Sequence, residues 1–296
     1  MITSLEHCKV FYYAAKLSSI TLAAQQLYIS QPAVSQSVRQ LEQDLGCKLF
    51  SRSARGVALT AEGRVFYEHV RRGYEEILTG EKKLAGMLSM DAGELRIGAS
   101  DMTLQFFLLP HLEEFHRLYP RVKINVSNGP TPETLRLLKS GGIDFGVVST
   151  PFEAAGVTAV PVRQIEDVAV AGEKFRAIEH TVLPLRELEK LPVICLEKTT
   201  SARRAADEFL LENGVRLAPE IELATSELIV KFAQRSLGVG IVVRAFAAGE
   251  IEAGRLFALR LEKPFPPREI CVVTNEKATM SVAAQKLHRL MLEGTN

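Results

Sequence analysis

The run from Ser18 to Glu42 reads SSITLAAQQLYISQPAVSQSVRQLE, and its spacing decides how the chain begins to fold. Ala23 and Ala24 are small enough for a second helix to cross closely. Ser30 offers a side-chain oxygen to cap a new helix, and Pro32 suits the first turn of that helix. Beyond it, Val34, Val38, Leu41 and Leu45 recur at steps of 4, 3 and 4, so they form an inward face. The opposite face carries Gln31, Ser35, Gln36, Arg39 and Gln40, with no acid before Glu42. Ordinary solvated faces use Glu and Lys freely, whereas this one is rich in amides and hydroxyls. Glutamine can pair with adenine through two bonds and arginine with guanine, while a helix N-terminus with hydroxyls favours phosphate. Such a face can enter the major groove of DNA as the second helix of a helix-turn-helix, and it also reads as a plain solvated helix face.

The surroundings agree. Leu5, Val10, Phe11 and Ala14 mark a helix over residues 4–16, Ile20–Leu27 a second, and Gln31–Leu45 a third that Gly46 would end. Residues 47–60 are irregular, with two short strands around a glycine turn expected there as a winglet. Arg52 and Arg55 are its candidate phosphate or minor-groove contacts. The DNA-contact set is therefore Ser30, Gln31, Pro32, Ser35, Gln36, Arg39, Arg52 and Arg55. Residues 61–88 form one long candidate helix whose apolar seam is Tyr67, Val70, Tyr74, Ile77, Leu84 and Leu88, with Glu81 in its polar slot. This heptad rhythm fits a dimerising coiled coil and also a helix packed on its own domain. Gly73, Gly80 and Gly86 weaken that helix.

The run from Ala23 to Gly63 resembles the LysR-type transcriptional regulators. The likeness is carried by Ser30-Gln31-Pro32-Ala33-Val34-Ser35, Leu41-Glu42, Leu45-Gly46, Leu49-Phe50, Arg52 and Leu59-Thr60-Ala61-Glu62-Gly63, in that order. The resemblance implies a winged helix-turn-helix, a two-lobed effector domain like the periplasmic binding proteins, and a homodimer or a homotetramer built as a dimer of dimers. It also implies promoter or operator double-stranded DNA and RNA polymerase as partners, with a small-molecule co-inducer that alters DNA bending. Many members carry a charged residue where this chain has Gln36 and Ser37, which leaves the target sequence open.

After Asp91-Ala92-Gly93 the texture changes. Apolar runs at Leu95–Ala99, Val122–Val126, Ile143–Val148, Val168–Ala171, Val193–Leu196, Val239–Val242 and Ile270–Val273 read as strands. Between or after them come helical patterns at Leu104–Tyr119, Pro132–Ser140, Arg203–Asn213, Glu227–Leu237 and Ser281–Leu292. Such alternation predicts an α/β fold of βαβ units with parallel sheets. The expected division is a winged helix-turn-helix at 1–60, a dimerising linker helix at 61–90 and an effector domain at 91–296. Its lobe I comprises 91–161 plus 268–296, and its lobe II 162–267.

In α/β sheets ligands sit beyond the carboxyl ends of strands, often at helix starts. Three loops fit: Gly98–Thr103, Glu197–Arg203 and Ala224–Ser226. The family resemblance implies Ser100, Thr103, Asn128, Val148, Ser149, Thr200 and Thr225 as cleft residues. Asp101, Met102, Thr199 and Ser201 stand beside them in the same loops. Each Ser or Thr also reads as a plain N-cap, but together they favour a ligand. Lys198, Arg203 and Arg204 add positive charge, so a small anionic metabolite is the expected effector. Asp101 opposes an anion unless it caps its helix.

Bulk properties narrow the alternatives. The chain has 296 residues, 47% hydrophobic and 24% charged, the balance of a globular protein. Its net charge is +1, yet residues 1–60 hold six Lys or Arg against three acids. A basic head on a neutral-to-acidic body fits nucleic-acid contact by the head alone. Cys8, Cys47, Cys195 and Cys271 show no paired spacing, so neither a disulfide framework nor a metal site is expected. No cofactor is expected, and GxSxG, P-loop and HExxH patterns are missing, which argues against an enzyme. The N-terminus lacks a signal-peptide pattern and no apolar run approaches 18 residues, so a cytoplasmic protein without membrane contact is expected. The remaining alternative is a stand-alone small-molecule binding protein without a DNA role.

Overall fold

The computed structural model describes residues 4–53, 56–153 and 155–293. It divides into two compact units, residues 1–86 and 87–296.

The first unit opens with helices α1 (Leu5–Leu17), α2 (Ile20–Leu27) and α3 (Gln31–Leu45). Ser19 Oγ caps α2 by accepting from the Leu22 N–H at 3.2 Å. Ser30 Oγ caps α3 by accepting from the Ala33 N–H at 3.3 Å, and α3 closes on Gly46 at φ 71°. The inward face predicted by spacing is buried: Val34 and Val38 pack with Val10, Ala14, Ala23 and Ala24, and Leu41 packs with Phe11 and Leu49. An antiparallel hairpin follows, β1 (Phe50–Ser53) and β2 (Gly56–Leu59), with Phe50 opposite Leu59 and Ser53 opposite Gly56. This is the expected winglet.

Helix α4 spans Ala61–Leu88, and its apolar seam splits in two. Tyr67 and Val70 pack against the cluster of Phe11, Leu41 and Leu49, and the Tyr74 ring lies 5.0 Å from that of Tyr12. Ile77, Leu84 and Leu88 are exposed. The first half of the heptad rhythm thus serves the unit's own core, and only the second half is left facing solvent.

The second unit has two lobes, each built on a five-stranded sheet. Lobe I begins with β3 (Glu94–Ala99), a single turn α5 (Asp101–Thr103), a π-helical stretch Leu104–Leu108, and α6 (Leu109–Leu118). It continues with β4 (Lys123–Asn128), α7 (Thr131–Lys139), β5 (Phe145–Ser149) and β6 (Val157–Ile165). The chain then crosses into lobe II: β7 (Asp167–Ala171), β8 (Val182–Leu183), β9 (Val193–Leu196), α8 (Ser201–Glu212), β10 (Ile221–Leu223) and α9 (Ser226–Gln234). There follow β11 (Val239–Val243), α10 (Arg244–Glu252), β12 (Phe257–Ala258) and β13 (Arg260–Leu261). It returns to lobe I through β14 (Arg268–Asn275) and ends in α11 (Val282–Glu293). The sheet orders are β4-β3-β5-β14-β6 and β10-β9-β11-β7-β12. Central strands β5, β7 and β11 are buried along their whole length, as strands covered on both faces must be.

Two expectations need correction. The sheets are mixed, not parallel: β14 runs antiparallel to both β5 and β6, and β7 antiparallel to β11. Both strands enter their lobe from the crossover side, which reverses them relative to the βαβ strands. Strand β6 was also unforeseen, and it runs through the expected lobe boundary at 161–162, so lobe I extends to Ile165. Its pairing with β14 shifts register where Ile270 faces Arg163 and Cys271 faces Pro161, leaving Val162 over as a bulge. Proline lacks the N–H that a ladder needs, so it is accepted at sheet edges and bulges; β6 supplies both.

Proline also explains the π-helical stretch. Pro110 has no N–H for the carbonyl of Phe106, four residues earlier. Leu109 N–H bonds back to Leu104 O, and Phe106 O accepts instead from Arg163 Nη1 of β6. Cys195 and Cys271 are buried in β9 and β14. Burial pushes their thiols up to about 12 and about 11, so both are protonated at neutral pH and unreactive.

Candidate functional site

In the first unit, α3 presents Gln31, Pro32, Gln36 and Arg39 as exposed residues and Ser35 as half-buried. Ser30 sits at the helix start with its hydroxyl engaged in capping. Arg52 lies in β1; Arg55 lies outside the described residues. Sequence reasoning passed over Tyr28, which ends α2 in the left-handed region at φ 55° and is 95% exposed. Its ring is thereby held out from the surface two residues before Ser30.

Glu42 has a structural part. Its side chain turns inward and is 7% exposed. Oε1 accepts from the backbone N–H groups of Leu49 and Phe50 at 2.9 and 3.2 Å, and Oε2 from Lys48 Nζ at 2.6 Å. One carboxylate thereby fastens the end of α3 to the start of the hairpin. Burial pushes its pKa up, but the bonds from Lys48, Leu49 and Phe50 more than offset this and hold it below the usual glutamate range. A depressed folded-state value contributes stability above the unfolded value of about 4.3, which is lost as pH falls through the folded value. Glu42→Gln is expected to cost about 1.5–3 kcal/mol at pH 7, the range for a bond to a charged group. The difference from wild type should shrink as pH drops below about 4, which urea unfolding between pH 7 and pH 3 would measure. A constant difference across that range would refute the assignment.

In the second unit, a cavity of about 300 Å³ lies between the lobes, at the small end of the roughly 300–1,000 Å³ common for ligand pockets. It sits where β3, β4, β5, β9, β10 and β11 end and where helices begin. Ser100, Asp101, Met102, Asn128, Ser149, Thr199, Thr200, Ser201 and Thr225 all line it, as the sequence suggested. Two expected residues do not. Thr103 is fully buried, closing a capping box with Ser100 and donating to Val147 O at 2.9 Å. Val148 alternates to the far side of β5 and packs with Leu135, Leu138 and Cys271. The N-termini of α7, α8 and α9 open on the cavity at Thr131, Ser201 and Ser226. The N-terminal partial charges of such helices favour anions.

The expected basic loop is not what charges this cavity. Arg203 is buried under the loop, bound to Asp207 at 2.8 Å, to Glu222 at 3.0 Å and to Leu196 O at 2.9 Å. Lys198 is exposed outside the lining, and Arg204 lines a separate groove with Pro151 and Phe152. The cation in the wall is Arg268, the first residue of β14 and 4% exposed. Its Nε and Nη2 bond both oxygens of Asp167 at 2.5 and 2.8 Å. Its Nη1 donates to Ser149 Oγ at 3.2 Å and to Thr150 O at 3.0 Å. Ser149 Oγ in turn lies 2.7 Å from Ser201 Oγ of lobe II. The sequence hid Arg268 because it follows Lys263-Pro264-Phe265-Pro266-Pro267, which reads as a surface loop, and its partner stands 101 positions away.

The two carboxylates in the lining, Asp101 and Glu197, stand near solvent. Asp101 is half-buried and accepts from Asn128 Nδ2, and Glu197 is exposed. Solvent screens them far more than it screens the buried Arg268–Asp167 pair. Among the described residues no group of three His, Cys, Asp or Glu side chains could hold a metal ion, and no helix is long and apolar enough to cross a membrane.

Comparison with known proteins gives two family matches. The profile described as "LysR substrate binding domain" matches residues 89–296. That described as "Bacterial regulatory helix-turn-helix protein, lysR family" matches residues 5–64. A "Probable RuBisCO transcriptional regulator" of Cyanidioschyzon merolae is 29% identical over 98% of this chain and 97% of its own. Among solved structures, full-length CbnR complexed with its target DNA superposes with a TM-score of 0.63 at 19% identity, covering 99% of this chain and 100% of that one. The regulatory domain of Synechocystis CcmR in complex with 2-PG gives 0.63 at 20% identity, over 69% of this chain and 98% of its own.

Proposed function

The chain belongs to the LysR family of DNA-binding transcriptional regulators, and from that premise we propose that it is a cytoplasmic binding switch, not a catalyst, which reads operator DNA with α3 and a small anionic metabolite with the cleft between its lobes. The DNA contacts are Ser30, Gln31, Pro32, Ser35, Gln36, Arg39, Arg52 and Arg55, with Tyr28 added from its exposure. The effector contacts are Ser100, Asp101, Met102, Asn128, Ser149, Thr199, Thr200, Ser201 and Thr225. The exposed second half of the α4 seam supports association of copies through the linker helix. Effector binding between two lobes favours one arrangement of the assembly and so repositions the paired heads on DNA and their contact with RNA polymerase.

The observation that carries the anionic reading is the position of a buried guanidinium in the cavity wall, together with three helix N-termini and a set of hydroxyls. The 2-PG complex of CcmR is in keeping with it. Titration calorimetry of the full chain tests this with phosphate, sulfate and small phosphorylated and carboxylated compounds against neutral and cationic ones. Heat from an anion, abolished in Ser201→Leu while operator affinity is kept, is the expected result. Heat only from a neutral or cationic compound would overturn the anionic assignment.

A further inference from the structure

Arg268 and Asp167 stand at the two places where the chain passes between the lobes. Asp167 opens β7 and pairs with Val243 in the sheet of lobe II, while Arg268 opens β14 and pairs with Ile165 in the sheet of lobe I. Their bidentate bond, with both side chains more than nine-tenths buried, therefore ties one lobe's sheet to the other's. A structural tie has no need of a ligand cavity, yet Arg268 and its neighbours Ser149 and Ser201 all line one.

A guanidinium has five donor hydrogens. Asp167 takes one from Nε and one from Nη2, and Ser149 Oγ and Thr150 O take the two on Nη1. Ser149 Oγ accepts from Arg268, so its own hydrogen is free to donate towards Ser201 or towards a ligand. An anion seated at the Ser149–Ser201 contact thus meets a hydroxyl from each lobe and the guanidinium behind them. In that weakly screened interior, every share of positive charge the anion takes is withdrawn from Asp167.

We propose that Arg268 is the anion anchor of the cleft and is shared between Asp167 and the effector, so that effector binding weakens the bond fastening the two lobes. The proposal rests on the reading that the cleft takes a small anion, and it deepens that reading by naming the device that senses it. Arginine suits the task because its planar fork serves two carboxylate oxygens and further acceptors at once; lysine keeps the charge and loses the fork.

The test is calorimetry of the full chain with inorganic phosphate as the probe, on wild type, Arg268→Lys and Asp167→Asn. Arg268→Lys should weaken phosphate at least 10-fold while operator binding is retained. Asp167→Asn frees the guanidinium, so phosphate should bind about 10-fold tighter. Where Asp167→Asn does not fold, the Arg268 Nε–H resonance of wild type, identified by its loss in Arg268→Lys, should move as phosphate is added. Phosphate binding unchanged in Arg268→Lys, no gain in Asp167→Asn, or a stationary resonance at saturation overturns the anchor and leaves the anionic reading standing. No phosphate heat in wild type or Asp167→Asn, beside heat from a neutral compound, overturns both.

Discussion

Replacing Gln31 and Arg39 together with alanine is expected to weaken binding to the protein's own upstream intergenic DNA by about 100- to 1,000-fold. Each is exposed on the face of α3 opposite the buried Val34, Val38 and Leu41. A good bidentate base contact is worth about 1–3 kcal/mol of discrimination, and each 1.4 kcal/mol is tenfold. Neither side chain packs in the core, so the circular dichroism spectrum and melting profile should match wild type. An anisotropy titration at two salt concentrations separates their roles. If Arg39 pairs with a base, its removal relaxes sequence preference. If it meets a phosphate, its removal lowers affinity on all sequences and reduces the salt slope by about one. Wild-type affinity in the double variant would sink the assignment of α3.

The second large effect belongs to Gly63, in the Leu59-Thr60-Ala61-Glu62-Gly63 run. Gly63 is buried in the first turn of α4, and its N–H donates to Thr60 Oγ1 at 2.9 Å. The Thr60 N–H bonds Leu49 O at 3.0 Å, and the Thr60 hydroxyl bonds Lys48 O at 2.7 Å. The helix start is thereby drawn so close to the chain entering β1 that a Cβ at position 63 would stand 2.0 Å from Leu49 O. A backbone carbonyl cannot swing aside as a side chain can. Alanine in place of glycine gains about 1 kcal/mol of helix propensity, but the forced shift costs about 3 kcal/mol or more. Gly63→Ala should therefore unfold the first unit at lower urea and lose DNA binding, with effector binding in the second unit intact. Gly73→Ala is the contrast: nothing lies within 4 Å of its Cβ, so it should stabilise α4 by up to about 1 kcal/mol. Equal unfolding midpoints for the two variants would refute the argument.

The sequence was legible where structure is local. The Ser30 cap, the Gly46 terminus, the inward face of α3 and most strands of both lobes follow from spacing and punctuation within a dozen residues. Most of the cleft was legible too, since hydroxyls at helix starts after apolar runs are a local pattern. What stayed hidden depends on distant partners. Strand β6, with Pro161 and exposed polar positions, reads as a loop until β14 pairs with it. Thr103 and Val148 lie one pleat or one turn from the cavity, a distinction that sequence order does not resolve. Arg268 looks like a surface charge after a proline-rich stretch, and only the crossover places Asp167 against it. The seam of α4 stayed open for the same reason: one heptad pattern describes both Tyr67, which packs at home, and Leu84, which does not.

The crossover has a consequence at the level of the gene. Because Ile165 and Arg268 are paired neighbours in one sheet, everything between them leaves lobe I and returns to it at a single point. Residues 166–267 form an insert with adjoining ends, the arrangement in which a whole segment is most readily exchanged. Exchange of that one internal segment, with one break at each end, would replace Thr200, Ser201 and Thr225 while keeping Ser100, Asn128 and Ser149. Each half of the cleft can therefore be inherited separately, and a new chemical signal can be wired to an old promoter by trading one cassette.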